Sequence, residues 1–168
     1  MNRINEGDLE WRENDRERNR FRRKQLSNAT EAEDLGCSLY ELPPGERSWP
    51  YHYHVGNEEA LYVLSGSGTL RCDDGTVSLE AGDFVSFPTN EGGGHQVVNE
   101  SDEPVRYLML STMNEPDITV YPEMEKVGVF ADTPPGGTGD RSVHGYYRIE
   151  DDVDYWEGDA DSDGTDSG

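Results

Sequence analysis

Eight short apolar runs between Leu35 and Ser111, each cut off by a turn signal, limit what this chain can fold into. They are LGCSLYEL, WPYHYHV, ALYVLSG, GTLRCDD, TVSLEAG, DFVSFP, HQVVN and VRYLMLS. Each is rich in Val, Leu, Tyr or Phe and shorter than a stable helix. The breaks between them carry Pro-Pro-Gly, Gly-Asn, Gly-Ser-Gly, Asp-Asp-Gly, Ala-Gly-Asp and Ser-Asp-Glu-Pro, residues whose backbone preferences set turns. Strands so short and so regularly punctuated argue for an antiparallel barrel or jelly roll. With 168 residues, 32% of them apolar, the chain has material for one core of this kind and none for a second.

Two of these runs carry histidine. His52 and His54 are separated by one residue, so in a strand both imidazoles point to the same side. His95 opens HQVVN about forty residues later, far enough along for the chain to return beside the first strand. Glu58 and Glu59 stand just ahead of ALYVL, and either offers a carboxylate. Three neutral imidazoles and a carboxylate suit Fe, Mn, Ni, Co or Zn and do not choose among them. An isolated His-x-His pair is more often an ordinary hydrogen-bonded or surface feature than half a metal site, so the weight lies in what surrounds it.

What surrounds it is a double pattern. His54 is followed by four residues and Glu59, then by six residues and Gly66. A second block runs Gly82, five residues, Pro88, a Gly-rich turn, His95, three residues and Asn99. Over residues 35–111 this pattern resembles the cupin superfamily. NEEALYVL, GDFVSFP and DITVYPEMEKVGV look like a group of small single-domain cupins of unassigned activity.

The resemblance implies an all-β fold, the antiparallel double-stranded β-helix or cupin jelly-roll barrel. It also implies one divalent transition metal per chain, held by His52, His54, Glu59 and His95, with Glu59 rather than Glu58 at the carboxylate position. Gly45 is separated from His52 by six residues where the family pattern usually has five, and TNEGGG is about two residues longer than usual. Both departures fall in turns, where insertions leave the strand-borne ligands in phase. Proteins resembling cupins commonly pair, so a homodimer is expected. The family hosts dioxygenases, isomerases, lyases and non-catalytic binders, and fold resemblance does not select among them. The expectation is a metalloenzyme acting on a small oxygenated organic molecule. The alternative is a non-catalytic small-molecule or sugar-binding sensor. No catalytic base or nucleophile stands out, and Tyr51, Tyr53, Phe84, Phe87, Tyr107 and Met109 are candidates for an apolar rim.

Around the barrel, expected over residues 35–130, residues 1–34 read as a charged N-terminal arm with room for an edge strand at 21–26. Residues 131–168 read as a Gly/Pro/Asp-rich, partly disordered extension, with His144 at the surface and Tyr155-Trp156 as an apolar spot able to dock. The tail from Asp159 to Gly164 begins like an EF-hand loop, but the chain ends before the bidentate Glu of that motif. The formal charge is −22, from 36 acids against 14 bases, and of the bases only Lys24 and Lys126 are lysine. Such composition, spread over a whole domain, resembles proteins kept soluble in concentrated salt. It argues against nucleic acid and anionic membrane as partners, since phosphate binding needs a basic face. The first thirty residues hold no apolar run, and Cys37 and Cys72 lack CxxC spacing, so a cytoplasmic protein with reduced thiols is expected.

Overall fold

The computed structural model describes residues 1–159. Among these described residues thirteen strands follow one another: β1 (Arg12–Arg16), β2 (Asn19–Gln25), β3 (Leu35–Leu42), β4 (Tyr53–His54), β5 (Glu59–Ser65), β6 (Ser67–Cys72), β7 (Gly75–Glu80), β8 (Phe84–Phe87), β9 (His95–Val98), β10 (Val105–Thr112), β11 (Asp117–Tyr121), β12 (Lys126–Phe130) and β13 (His144–Arg148). Every strand pair is antiparallel, and helix among the described residues is confined to single 3-10 turns.

One sheet has the order β1-β2-β3-β10-β5-β8. The second layer is split into β13-β12-β11-β4 and β7-β6-β9. Its two parts are joined where the His95 N–H donates to the His52 carbonyl at 2.9 Å, an isolated bridge between β9 and the residue before β4. The barrel is therefore stitched together at the two histidines.

Strand alternation fills its interior. In β5, Leu61 and Val63 are buried while Tyr62 and Leu64 face out, and Leu42, Leu70, Leu79, Val97, Val105 and Tyr107 meet them from the other strands. Each such side chain contributes about 1.5–3 kcal/mol on burial. Gly66 carries the chain from β5 in one sheet to β6 in the other at φ +78°, and a Cβ there would strike the Pro104 carbonyl, so only glycine fits this crossing.

The N-terminal arm holds more regular structure than one edge strand. β1 and β2 form a hairpin that extends the six-stranded sheet through β3, anchored by buried Phe21 against Tyr40 and Trp49. At the other end, β13 pairs with β12, so strand continues into the extension expected to be partly disordered. Among the described residues Tyr155 and Trp156 are 87% and 67% exposed and pack edge-on against each other rather than docking on the barrel. The EF-hand-like stretch falls almost wholly on residues 160–168, outside the described residues. No helix among the described residues is long and apolar enough to cross a membrane.

Candidate metal centre

The ends of three strands deliver four side chains to one place. His52 and His54 come from the short segment that bridges the sheets, Glu59 from the first position of β5 and His95 from the first position of β9. One ligand atom each from His52, His54 and Glu59 lies within 4.8 Å of the others. His54 Nε2 and His95 Nε2 each stand 3.5 Å from Glu59 Oε2, and the rings of His52 and His95 are 4.8 Å apart. All three histidines are buried, and the Glu59 side chain is 13% exposed. Glu58, one residue earlier, faces solvent.

The far side of every imidazole is already engaged. His52 Nδ1–H donates to the Pro50 carbonyl at 2.7 Å, His95 Nδ1–H to the Gly93 carbonyl at 2.9 Å, and His54 Nδ1–H to Asp117 Oδ2 at 2.6 Å. Carbonyl and carboxylate oxygens only accept, so each ring carries its proton on Nδ1 and keeps the Nε2 lone pair free. Glu59 Oε2, by contrast, is buried with no hydrogen-bond partner. At 3.5 Å its two nearest imidazole nitrogens are too far for a good hydrogen bond, yet close enough to share one ion with ligand bonds of about 2.0–2.2 Å. A buried, unpartnered carboxylate oxygen beside three imidazole lone pairs fits a divalent transition metal, and these four residues could hold it.

Local packing fixes the arrangement. Asn57 Oδ1 accepts from the Asn114 N–H and its Nδ2 donates to the Asn114 carbonyl, pinning the loop between His54 and Glu59. Phe87 stacks on His95 at 3.9 Å and Tyr121 on His52 at 5.8 Å. The Gly-rich turn before His95 is tight because a Cβ at Gly93 would collide with the Pro88 carbonyl.

Burial, reinforced by the neighbouring imidazoles, pushes His52 well below the ordinary histidine value. Burial also lowers His95, against the pull of Glu59. Burial acts on His54 in the same sense, but the Asp117 hydrogen bond and the Glu59 and Asp117 charges outweigh it and raise that ring.

Above the cluster opens a cavity of about 300 Å³, whose walls include Tyr40, Tyr107, Met109, Tyr121, Phe130 and Tyr146. Of the rim residues expected from the sequence, Tyr107 and Met109 line it. Phe87 packs behind His95, Tyr51 and Tyr53 flank a separate shallow pocket, and Phe84 is exposed. His144 is exposed as expected but also stands at the cavity wall. The sequence reading missed Asp117, which is fully buried and holds both His54 and the Gly56 N–H. It also missed Tyr121, Arg23 and Arg141. The run DITVY, a strand that begins with an acid, was the available signal for Asp117.

Residues 38–111 match the family described as Cupin domain. Over 70 residues the chain is 34% identical to the oxalate-binding protein of Thermotoga maritima, a match covering 42% of this chain and 55% of that one. The chain thus spans about half the length of this curated relative. Among solved structures it is similar to a sugar phosphate isomerase from a cupin superfamily of Silicibacter pomeroyi, at 26% identity and TM-score 0.69 over 78% of each chain. It is also similar to an Acidithiobacillus ferrooxidans protein named provisionally as a sugar phosphate isomerase, at 25% identity and TM-score 0.74, covering 88% of this chain and 90% of that one. Sequence pattern, sheet order and family match agree that residues 38–111 form a cupin domain.

Proposed function

We propose that His52, His54, Glu59 and His95 hold one divalent transition metal and that the protein is a metalloenzyme acting on a small oxygenated organic molecule. The observation that carries this is the orphaned Glu59 Oε2, buried 3.5 Å from two imidazole nitrogens at the floor of the cavity. A metal bound there would polarise a carbonyl or hydroxyl oxygen of the substrate. The residues of the chain do the rest. Pro50, Asp117 and Gly93 hold the three imidazoles in the ligating tautomer, and the aromatic wall keeps bulk water away. The Tyr121 hydroxyl, raised above its ordinary value by burial and by Tyr146, stays protonated and can donate to a substrate oxygen.

Among dioxygenase, isomerase and lyase chemistries, similarity to the Silicibacter sugar phosphate isomerase supports the isomerase. The second reading, a non-catalytic binder of a small oxygenated ligand, is supported by similarity to the Thermotoga oxalate-binding protein. Elemental analysis of protein purified without a metal-affinity tag should give close to one transition metal per chain. Incubation with sugar phosphates, under air and without it, should then give product. Recovery of the compound unchanged favours the binder. Absence of metal, with no rise in melting temperature on adding Fe, Mn, Ni, Co or Zn, would sink both metal-based readings.

A further inference from the structure

In a chain with 36 acids and 14 bases, every arginine near the surface has carboxylates to choose from. Arg20, Arg22, Arg71 and Arg148 each pair with one and Arg106 with two, whereas among the described residues Arg3, Arg12, Arg16, Arg18 and Arg47 pair with none but stand outside the cavity. Arg23 and Arg141 line the cavity over the candidate metal centre, and among the described residues neither has a carboxylate within 4.0 Å. Both guanidinium groups are instead positioned by neutral partners. Arg23, on β2, lies 5.4 Å above the ring of Trp49, whose indole N–H is tied to the Tyr40 hydroxyl at 3.0 Å. Arg141 donates from Nε to the Thr133 carbonyl at 2.7 Å and from Nη2 to the Pro134 carbonyl at 3.0 Å, with Phe130 beneath it at 5.4 Å. Aromatic faces and carbonyls orient a guanidinium without cancelling its charge, so two positive charges and several N–H donors remain for a ligand.

We propose that Arg23 and Arg141 form an anion subsite of this cavity and select a phosphomonoester. This assignment names a substrate class for the reading above and rests on it. Two guanidinium charges match a phosphate dianion, which carries about −1.5 to −2 at pH 7, and the fork of each group suits phosphate oxygens. A partly enclosed cavity in a chain of net charge −22 would repel such a ligand unless local positive charge offset the field. Both arginines lie outside the cupin-matched segment 38–111, one in the N-terminal hairpin and one after β12. The two extensions meet there: Gln25 Nε2 and Asn28 Nδ2 both donate to the Gly136 carbonyl, at 2.9 and 3.1 Å, and Gly136 lines the same cavity. On this reading the barrel supplies the metal ligands and the extensions supply selectivity.

Calorimetric titration of the full-length protein with glycerol 3-phosphate, glycerol and oxalate tests this. Glycerol 3-phosphate should bind and glycerol should not. Arg23→Gln and Arg141→Gln should each weaken binding about tenfold or more, since each removes charge-assisted hydrogen bonds, while leaving metal content unchanged. Arg141→Lys, which keeps the charge and loses the fork, should fall between and covers the case in which the glutamine variant does not fold. His52→Ala should lose metal yet still bind glycerol 3-phosphate, so failure of the metal reading and failure of the anion reading give different results. Equal binding of glycerol and its phosphate, unchanged binding in folded arginine variants, or phosphate binding lost only in His52→Ala would overturn the subsite. Oxalate bound in preference to the phosphate, and lost in the arginine variants, would overturn the choice of phosphomonoester.

Discussion

Glu58 and Glu59 are neighbours with opposite surroundings, and the two-residue period of a strand separates them. Glu59 faces inward with Leu61 and Val63, whereas a slip of one residue to bring Glu58 inward would turn both buried side chains out to water. Glu59→Gln, His52→Ala and His95→Ala should therefore lower metal occupancy sharply, with Glu58→Gln near wild type. Asp117→Asn should weaken affinity about 10- to 100-fold, because the amide no longer holds His54 in its ligating tautomer as a carboxylate does. Metal titration of the five variants decides, and equal losses at Glu58 and Glu59 would overturn the ligand assignment. The histidines were legible because their spacing is a pattern. Asp117 was not, because it is one acid among 36 and its partner His54 lies 63 residues away.

The same buried rings set a pH response in the metal-free protein. His52 and His95 are held below the unfolded value of about 6.5, so as pH falls through that value the unfolded chain takes up protons that the folded chain refuses, and stability is lost. His54 is raised and works the other way: its contribution is fully present below about 6.5 and is lost as pH rises through its folded value. Two rings oppose one. Between pH 8 and pH 5, wild type should lose ground in urea midpoint relative to a His52→Asn/His95→Asn double variant, a comparison in which the carboxylates cancel. A difference that stays constant with pH would contradict the assigned directions.

At the level of elements, the sequence disclosed strands wherever apolar residues recur within a short, turn-bounded run, as in β3 and β5 to β10. It offered β2 only as an edge strand at 21–26 and did not disclose β1, because RENDR and NRFRRKQ carry one anchoring aromatic, Phe21, among polar and charged residues. β4 is two residues long although WPYHYHV suggested a full strand, because its first histidine bridges to β9 while Tyr53 and His54 pair with β11. The turn glycines can be tested one against another. Gly45 and Gly66 have nearly the same backbone angle, φ +77° and +78°, but open space surrounds the first and the Pro104 backbone crowds the second. Gly45→Ala should cost about 1 kcal/mol from conformation alone, and Gly66→Ala about 1–3 kcal/mol more as the β5–β6 connection shifts away from Pro104. Urea midpoints give the comparison, and equal losses would mean that the β5–β6 connection accommodates the methyl group without strain.

For the whole molecule, the governing quantity is the net charge of −22. The arginines that do pair with carboxylates do so mostly at exposed positions, where such pairs contribute little, and the remaining acids repel one another across a small barrel. That repulsion favours the expanded chain and is cut off at the Debye length, about 10 Å at 0.1 M salt and about 3 Å at 1 M. Acids spaced between these two distances are freed from one another over just this range. The melting temperature should therefore rise steeply from about 0.1 M to about 1 M KCl and more gently from there to about 3 M. Charge confined to the C-terminal end would give the same net value and a different result. Truncation after Gly158 removes Asp159, Asp161, Asp163 and Asp166 and should leave the slope nearly unchanged if the repulsion belongs to the barrel. A flat profile in the full chain, or a slope lost on truncation, would show that the acidity does not act on the fold.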